Sequence, residues 1–378
     1  MKYFIIAGEA SGDLHGSNLV KELKKVDPEA DIACWGGDKM KEAGGRLLVH
    51  YREMAIMGFW EVAMKLGKIF RNLRKCKNQV LEFEPGLVIL IDYPGFNLRI
   101  AEKLKKHNLR VYYYISPKVW AWKKSRIKKI KRYIDRMYVI FPFEKAFFEE
   151  NDYQVHYFGN PLVETVQEGM AEAGGREELI KEYELEDKAV IALLAGSRLQ
   201  EIKRILPVMA EMEKYYPGYQ FVVAGISTID ESLYSSILKD SNIRVIFNST
   251  YSLLSGSDAA LVTSGTATLE TAIANIPQIV CYRAGRLSYL IARMLVKIRF
   301  ISLVNLIMDR EIVKELIQSD LNEKNIVSEL NAILPGGWKR EIMIEDYSAL
   351  RQMLAGKDAS ARIAGDMYHS VKLADNVD

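Results

Sequence analysis

YFIIAGEASGDLHGSNLVKELKK, residues 3–25, is the stretch on which the fold turns. Tyr3–Ala7 is an apolar run of β character without polar alternation, as a parallel strand covered on both faces is. It ends in Gly8-Glu9-Ala10-Ser11-Gly12-Asp13, and Leu14–Lys25 then follows a helical period. The glycines allow a sharp strand-to-helix turn, and the free N–H groups at the helix start favour an anion or polar ligand. Strand, glycine turn and helix form the opening unit of a parallel α/β sheet.

The same alternation continues outward. Asp31–Trp35, Leu87–Asp92, Arg110–Ile115, Met137–Phe141 and Val155–Phe158 read as strands, separated by helical patterns at Phe59–Phe83, Leu98–His107 and Arg126–Asp135. A polar, glycine-bearing stretch at 164–187 reads as a linker. Beyond it Ala189–Ala195, Gln220–Ala224, Arg244–Phe247, Ala259–Thr263 and Gln278–Tyr282 are the strands of a second α/β unit, and the tail from about Lys339 is helical. The expected architecture is therefore α/β: two doubly wound domains, 1–165 and 186–345, facing across a cleft lined by strand C-terminal ends, where such sheets bind ligands. The helical tail, 346–378, is expected to cap a domain or to cross back and pack on the first one.

Composition sets the class. With 378 residues, 49% hydrophobic and 27% charged, the chain is globular and long enough for two cores. There is no run of roughly 18 apolar residues, and the first strand begins almost at Met1, so a cytoplasmic protein is expected. Cys34, Cys76 and Cys281 match neither a zinc nor a redox spacing and read as buried free thiols. The five histidines are scattered, and no metal or cofactor is indicated.

The net charge of +3 conceals a local concentration, with nine Lys or Arg between Lys118 and Arg136 against one acid, Asp135. The apolar residues of that segment recur at helical spacing, so residues such as Lys128 project outward. That density fits an anionic membrane surface or phosphate-bearing lipids. Nucleic acid is not expected, because no nucleic-acid module is present and the global charge is small. In the helix from Met57 to Leu73, the face carrying Phe59, Val62, Leu66, Ile69, Phe70 and Leu73 reads as the core side. Met57, Trp60 and Met64 fall on another face among Lys68 and Arg71, which fits an interfacial element or burial against a second helix.

Candidate chemistry gathers at strand ends. Glu9 follows the first strand and Asp92 the strand Leu87–Ile91. A carboxylate there can take a proton from a sugar hydroxyl, although the same residue could simply cap the next helix. Ser11, Asp13, Asn97, Ser116 and Trp120 lie in the loops at this edge. In the second half, Gly196-Ser197-Arg198 offers close backbone approach, a hydroxyl and a guanidinium fork for a diphosphate. The loop Ser264-Gly265-Thr266-Ala267-Thr268, with Glu270 one turn on, adds hydroxyls, N–H groups and a carboxylate for ribose hydroxyls.

These motifs stand in order along the chain: GEASGD at 8–13, IDYPGFN at 91–97, SPKVWAW at 116–122, PFE at 142–144, FGNPL at 158–162, LAGSR at 194–198, TSGTATLE at 263–270 and SLVN at 302–305. The set resembles the lipid-A-disaccharide synthase family. The resemblance implies a GT-B fold and inverting transfer of 2,3-diacylglucosamine from its UDP donor to the 6-hydroxyl of 2,3-diacylglucosamine 1-phosphate. It implies Asp92 as the base, Glu9 as a second essential carboxylate, and Arg198, Glu270, Asn305 and Gln318 at the donor. A peripheral position on the inner face of the inner membrane and a homodimer, found in some members, come with it. Asn160, Ala195, Tyr93 and Gly95 depart from the family's usual pattern. A different GT-B lipid glycosyltransferase or an epimerase is the nearest alternative; an oxidoreductase fails the glycine spacing, and a non-catalytic lipid-binding module would tolerate loss of Asp92.

Overall fold

A computed structural model describes residues 1–54, 66–120, 125–285, 289, 299–356 and 358–375. The chain divides into two compact units, Met1–Pro161 with Gly356–Asp378, and Leu162–Ala355. Met57, Trp60 and Met64 lie outside the described residues.

The first unit is built on β1 (Lys2–Ala7), β2 (Asp31–Gly36), β3 (Arg46–His50), β4 (Leu87–Ile91), β5 (Val111–Tyr114), β6 (Arg136–Val139) and β7 (His156–Tyr157). They lie in the order β3-β2-β1-β4-β5-β6-β7, every pair parallel. The second unit repeats the plan with β8 (Ala189–Leu194), β9 (Tyr219–Gly225), β10 (Arg244–Phe247), β11 (Ala259–Thr263), β12 (Gln278–Tyr282) and β13 (Lys314–Ile317), ordered β10-β9-β8-β11-β12-β13. These pairs too are parallel. All residues of β4 and β11 are buried, which explains their unbroken apolar sequence.

In each sheet the winding direction reverses once, between β1 and β4 and between β8 and β11. Successive crossovers leave to opposite sides there, so the loops diverge and leave a crevice at the strand C-terminal ends. Glu9 and Asp92 follow the two strands of the first switch point; Ser197 and Ser264 follow those of the second.

Several expectations need correction. The stretch 164–187 is not an irregular linker: Leu162–Glu172 and Arg176–Tyr183 are helices of the second unit. Both pack on the helix Thr250–Ser255, so its polarity reflects one exposed face. β3 and β13 went unread because both sit at sheet edges and are only partly buried, without the apolar signature of a central strand. Phe70, expected on the core face, is 62% exposed. The buried stripe of the helix Leu66–Phe83 runs through Leu73, Cys76 and Val80, and Phe70 stands about 60° from Leu73 on the helical wheel.

Of the expected tail, 346–355, with the end of the helix Arg340–Leu354, belongs to the second unit, whereas the helix Ala359–Asp375 belongs to the first unit and packs along the helix Ala10–Val26. Asp366 fixes it by accepting from Arg136 at 2.6 Å and from the Tyr138 hydroxyl at 2.7 Å. The three cysteines are free and buried, as the spacing predicts. Among the described residues, no helix is long and apolar enough to cross a membrane.

Candidate active site

β4 delivers the chain to Asp92 (φ 41°) and Tyr93 (φ 47°), two consecutive side-chain-bearing residues in the left-handed region. Each such residue costs of order 1–3 kcal/mol and persists only where its surroundings impose it. The Asn97 amide imposes it here, donating to the carbonyls of Asp92 at 2.8 Å, Ile91 at 3.1 Å and Ile6 at 3.4 Å. The Tyr113 hydroxyl also donates to the Asp92 carbonyl, and the Asp92 N–H donates to Tyr114 O at 3.1 Å. Gly8 provides room for the Tyr93 ring, since a Cβ at Gly8 would lie 2.2 Å from Tyr93 Cδ1. Gly8 therefore serves close packing, and its backbone is not among those with positive φ.

The result is a carboxyl group held on the sheet edge in partial burial. Burial, and next the charge of Glu9, raise the Asp92 pKa from 3.8 to about 6, while Lys118, the Tyr93 N–H and Arg126 act against the shift. Glu9 is exposed at the start of the helix Ala10–Val26, where its side chain makes no capping bond to the helix. The structure thus brings Glu9 and Asp92 into mutual electrostatic range, as their strand positions predict.

Other predicted residues have partners within the protein. Asp13 is buried, and its carboxylate accepts from the N–H groups of Gly37 at 2.7 Å, Met40 at 3.1 Å and Lys39 at 3.2 Å. It therefore anchors the helix Asp38–Glu42, and a substrate would have to compete with three backbone donors. Asn97 is fully buried and its amide nitrogen is spent on the carbonyls above, while its Oδ1 finds no partner among the described residues. Ser116 is buried and donates to Glu144, as does the Trp120 indole at 3.2 Å. Ser11 remains half-buried at the turn. His15 is buried beside the Tyr114 ring, and burial lowers its pKa to about 4, leaving a neutral imidazole at physiological pH.

In the second unit Gly196 takes φ +111°, and the turn leads into the helix Leu199–Ala210. Ser197 and Arg198 are exposed. The loop's donors converge on Glu201, which accepts from Ser197 N at 3.1 Å, Arg198 N at 3.3 Å and the Arg198 guanidinium at 3.1 Å. The turn can therefore hold an anionic group, and a carboxylate occupies its donors. At β11, Ser264 donates to Ile301 O at 2.9 Å, and Thr268, fully buried, donates to Gly265 O at 2.8 Å. Gly265 and Thr266 open the helix Thr266–Ile273. Glu270 accepts from the Tyr251 hydroxyl at 2.9 Å, and its pKa is raised by burial, with the Tyr251 bond opposing.

The Asn305 amide is engaged by the protein itself. It is fully buried, donates to Val313 O at 2.9 Å and to Glu315 at 3.0 Å, and accepts from Ile312 N at 2.8 Å and Val313 N at 3.0 Å. These bonds secure the entry to β13. Gln318, just past β13, has φ +55° and a buried amide nitrogen without an acceptor among the described residues, as a ligand-facing side chain would. Lys68 is half-buried, whereas Arg71 and Lys128 are exposed.

Glu144, Glu201 and Tyr251 were not singled out from sequence. The first two had a visible signal, an acid three residues after a helix N-cap, in Phe141-x-x-Glu144 and Arg198-x-x-Glu201. Tyr251 had none, because its contact with Glu270 spans separate elements.

Two doubly wound units, each with a single switch point at its strand C-terminal ends, define the GT-B fold class. The fold is shared with solved structures. The UDP-GlcNAc 2-epimerase of Methanocaldococcus jannaschii in complex with UDP-GlcNAc and UDP is similar over 98% of this chain and 100% of that one, with TM-score 0.65 and 14% identity. The glycotransferase of kitacinnamycin has TM-score 0.65 at 12% identity, over 98% of each chain. The chain belongs to the lipid-A-disaccharide synthase family: the lipid-A-disaccharide synthetase model matches residues 3–362. It is 40% identical to the lipid-A-disaccharide synthase of Syntrophus aciditrophicus over 98% of both chains, and 36% identical to that of Geobacter metallireducens over 96% of both.

Proposed function

We propose that the protein transfers 2,3-diacylglucosamine from its UDP donor to the 6-hydroxyl of 2,3-diacylglucosamine 1-phosphate, with inversion, releasing UDP. The observation that carries this reading is the Asp92 carboxyl at the β1/β4 switch point, with its pKa raised to about 6 beside Glu9. Ionised Asp92 accepts the proton of the attacking hydroxyl as its oxygen bonds to the donor's anomeric carbon and the bond to the diphosphate breaks. The second unit holds UDP. Arg198 and the N–H groups at the starts of the helices Leu199–Ala210 and Thr266–Ile273 offset the leaving group's charge, and Glu270 and Gln318 take the nucleoside.

Detergent-solubilised diacyl donor and acceptor are expected to release UDP, and UDP-GlcNAc alone to release none; the reverse pattern would favour the epimerase reading. The pH dependence follows from the raised carboxyl. The base must be ionised, so kcat/KM should be level above about pH 6 and fall roughly tenfold per unit below it. An acidic limb near pH 4 would mean that an unperturbed carboxylate does the work.

The protein acts at an anionic bilayer, which exposed Phe70 beside Arg71 and the outward Lys128 support. Phe70→Ser combined with Lys128→Glu should cut co-sedimentation with phosphatidylglycerol vesicles several-fold, since each cationic residue contributes about 1 kcal/mol at such a surface. Unchanged sedimentation would remove both positions from the membrane contact. A homodimer is part of the same reading, tested by sedimentation equilibrium.

A further inference from the structure

Glu144 is 1% exposed, and burial pushes its carboxyl up to about 7. One oxygen, Oε2, accepts from the N–H groups of Ile140 at 3.2 Å and Phe141 at 3.1 Å. Those two bonds cap the helix Pro142–Glu149, a task a glutamine performs equally well. The other oxygen, Oε1, reaches across to the loop after β5, accepting from Ser116 Oγ at 2.5 Å and Trp120 Nε1 at 3.2 Å. A buried carboxylate is expensive unless its acceptor capacity is used, and here both oxygens are used, one on each loop. The Trp120 ring is further braced edge-on against Phe143, with centroids 5.0 Å apart.

The two clamped residues bracket Lys118, which is exposed. β5 and β4 are adjacent, with Tyr114 opposite Ile91, so Lys118 and Asp92 leave neighbouring strands at the same edge. We propose that Glu144 is a positioning residue, clamping Ser116 and Trp120 so that the Lys118 ammonium between them stands opposite the Asp92 carboxylate and keeps it ionised near neutral pH. This rests on Asp92 acting as the base. Other groups acting on Asp92 are Glu9 after β1, the Tyr93 N–H, the Tyr113 hydroxyl at its carbonyl, and Arg126 at the start of the helix Arg126–Tyr133. Tyr157 on β7 faces Glu144.

The test is the pH profile of kcat/KM for the wild type, Glu144→Gln, Lys118→Met, their double variant and Asp92→Asn, with thermal melts of each. Removing or releasing the cation raises the pKa of the base, so both single variants should move the acidic limb upward by about half to one pH unit. The double variant should move it no further, because both changes remove one and the same charge. Lys118→Met should melt as the wild type does. If Glu144→Gln fails to fold, Ser116→Ala, which removes one leg of the clamp, should give the same displacement. An unmoved limb in Lys118→Met, or additive displacements in the double variant, overturns the proposal. Turnover by Asp92→Asn with the wild-type limb would instead overturn the assignment of the base.

Discussion

Asp92→Asn is expected to lower kcat by about 10³-fold while leaving the affinity for UDP unchanged, the loss typical of a missing general base. Asparagine keeps the shape of the side chain, and the backbone bonds from Asn97 and to Tyr114 O do not involve the carboxyl. The left-handed turn should therefore survive, and the melting midpoint should change little. Single-turnover measurement at saturating donor separates the chemical step from binding. A variant that turns over at near wild-type rate would show that the carboxyl is not the base. One that also loses UDP would show that the residue's role is not confined to the acceptor.

Arg198→Ala is expected to weaken UDP binding by about 10–100-fold, the equivalent of losing charge-assisted hydrogen bonds worth about 1.5–3 kcal/mol. Calorimetric titration with UDP would measure it. The change should cost little stability, because the Arg198–Glu201 pair at 3.1 Å involves a guanidinium that is 58% exposed, and solvent screens such pairs. Glu201 sharpens the expectation. Its carboxylate sits on the Ser197 and Arg198 N–H groups, so a diphosphate arriving there must displace it or bind alongside it. Glu201→Gln removes the competing charge and should tighten UDP binding. Unaltered affinity in Arg198→Ala would move the diphosphate away from this turn.

Much of the candidate site was legible because glycine turns and strand-terminal acids announce themselves locally. Glu9, Asp92 and Arg198 were singled out by their position at the end of an apolar run or in the turn that follows, and Glu270 by its place one helical turn further on. Other polar residues of the same motifs are engaged by the protein itself. Asp13, Asn97 and Asn305 carry groups suited to a ligand, but the structure spends them on backbone N–H and carbonyl groups that would otherwise be buried unpaired. No local pattern distinguishes those two uses, because the competing partners come from distant segments, as Gly37 does for Asp13. Glu144 shows the reverse: passed over in the sequence, it caps a helix and also grips a loop 28 positions away.

The sequence by itself determined the two parallel α/β units and the strand ends that carry acids in the first and phosphate-type turns in the second. A central strand buried on both faces must be continuously apolar, and a strand-to-helix turn restricts its residue types. Only the tertiary structure decided the edge strands β3 and β13, where the returning tail leaves the second unit, and which polar groups the protein itself engages. Those outcomes depend on contacts between segments far apart in the chain, and the raised pKa of Asp92 is one of them. It arises from burial and from the charge of Glu9, more than 80 residues earlier in sequence, and neither is written in the residues next to it.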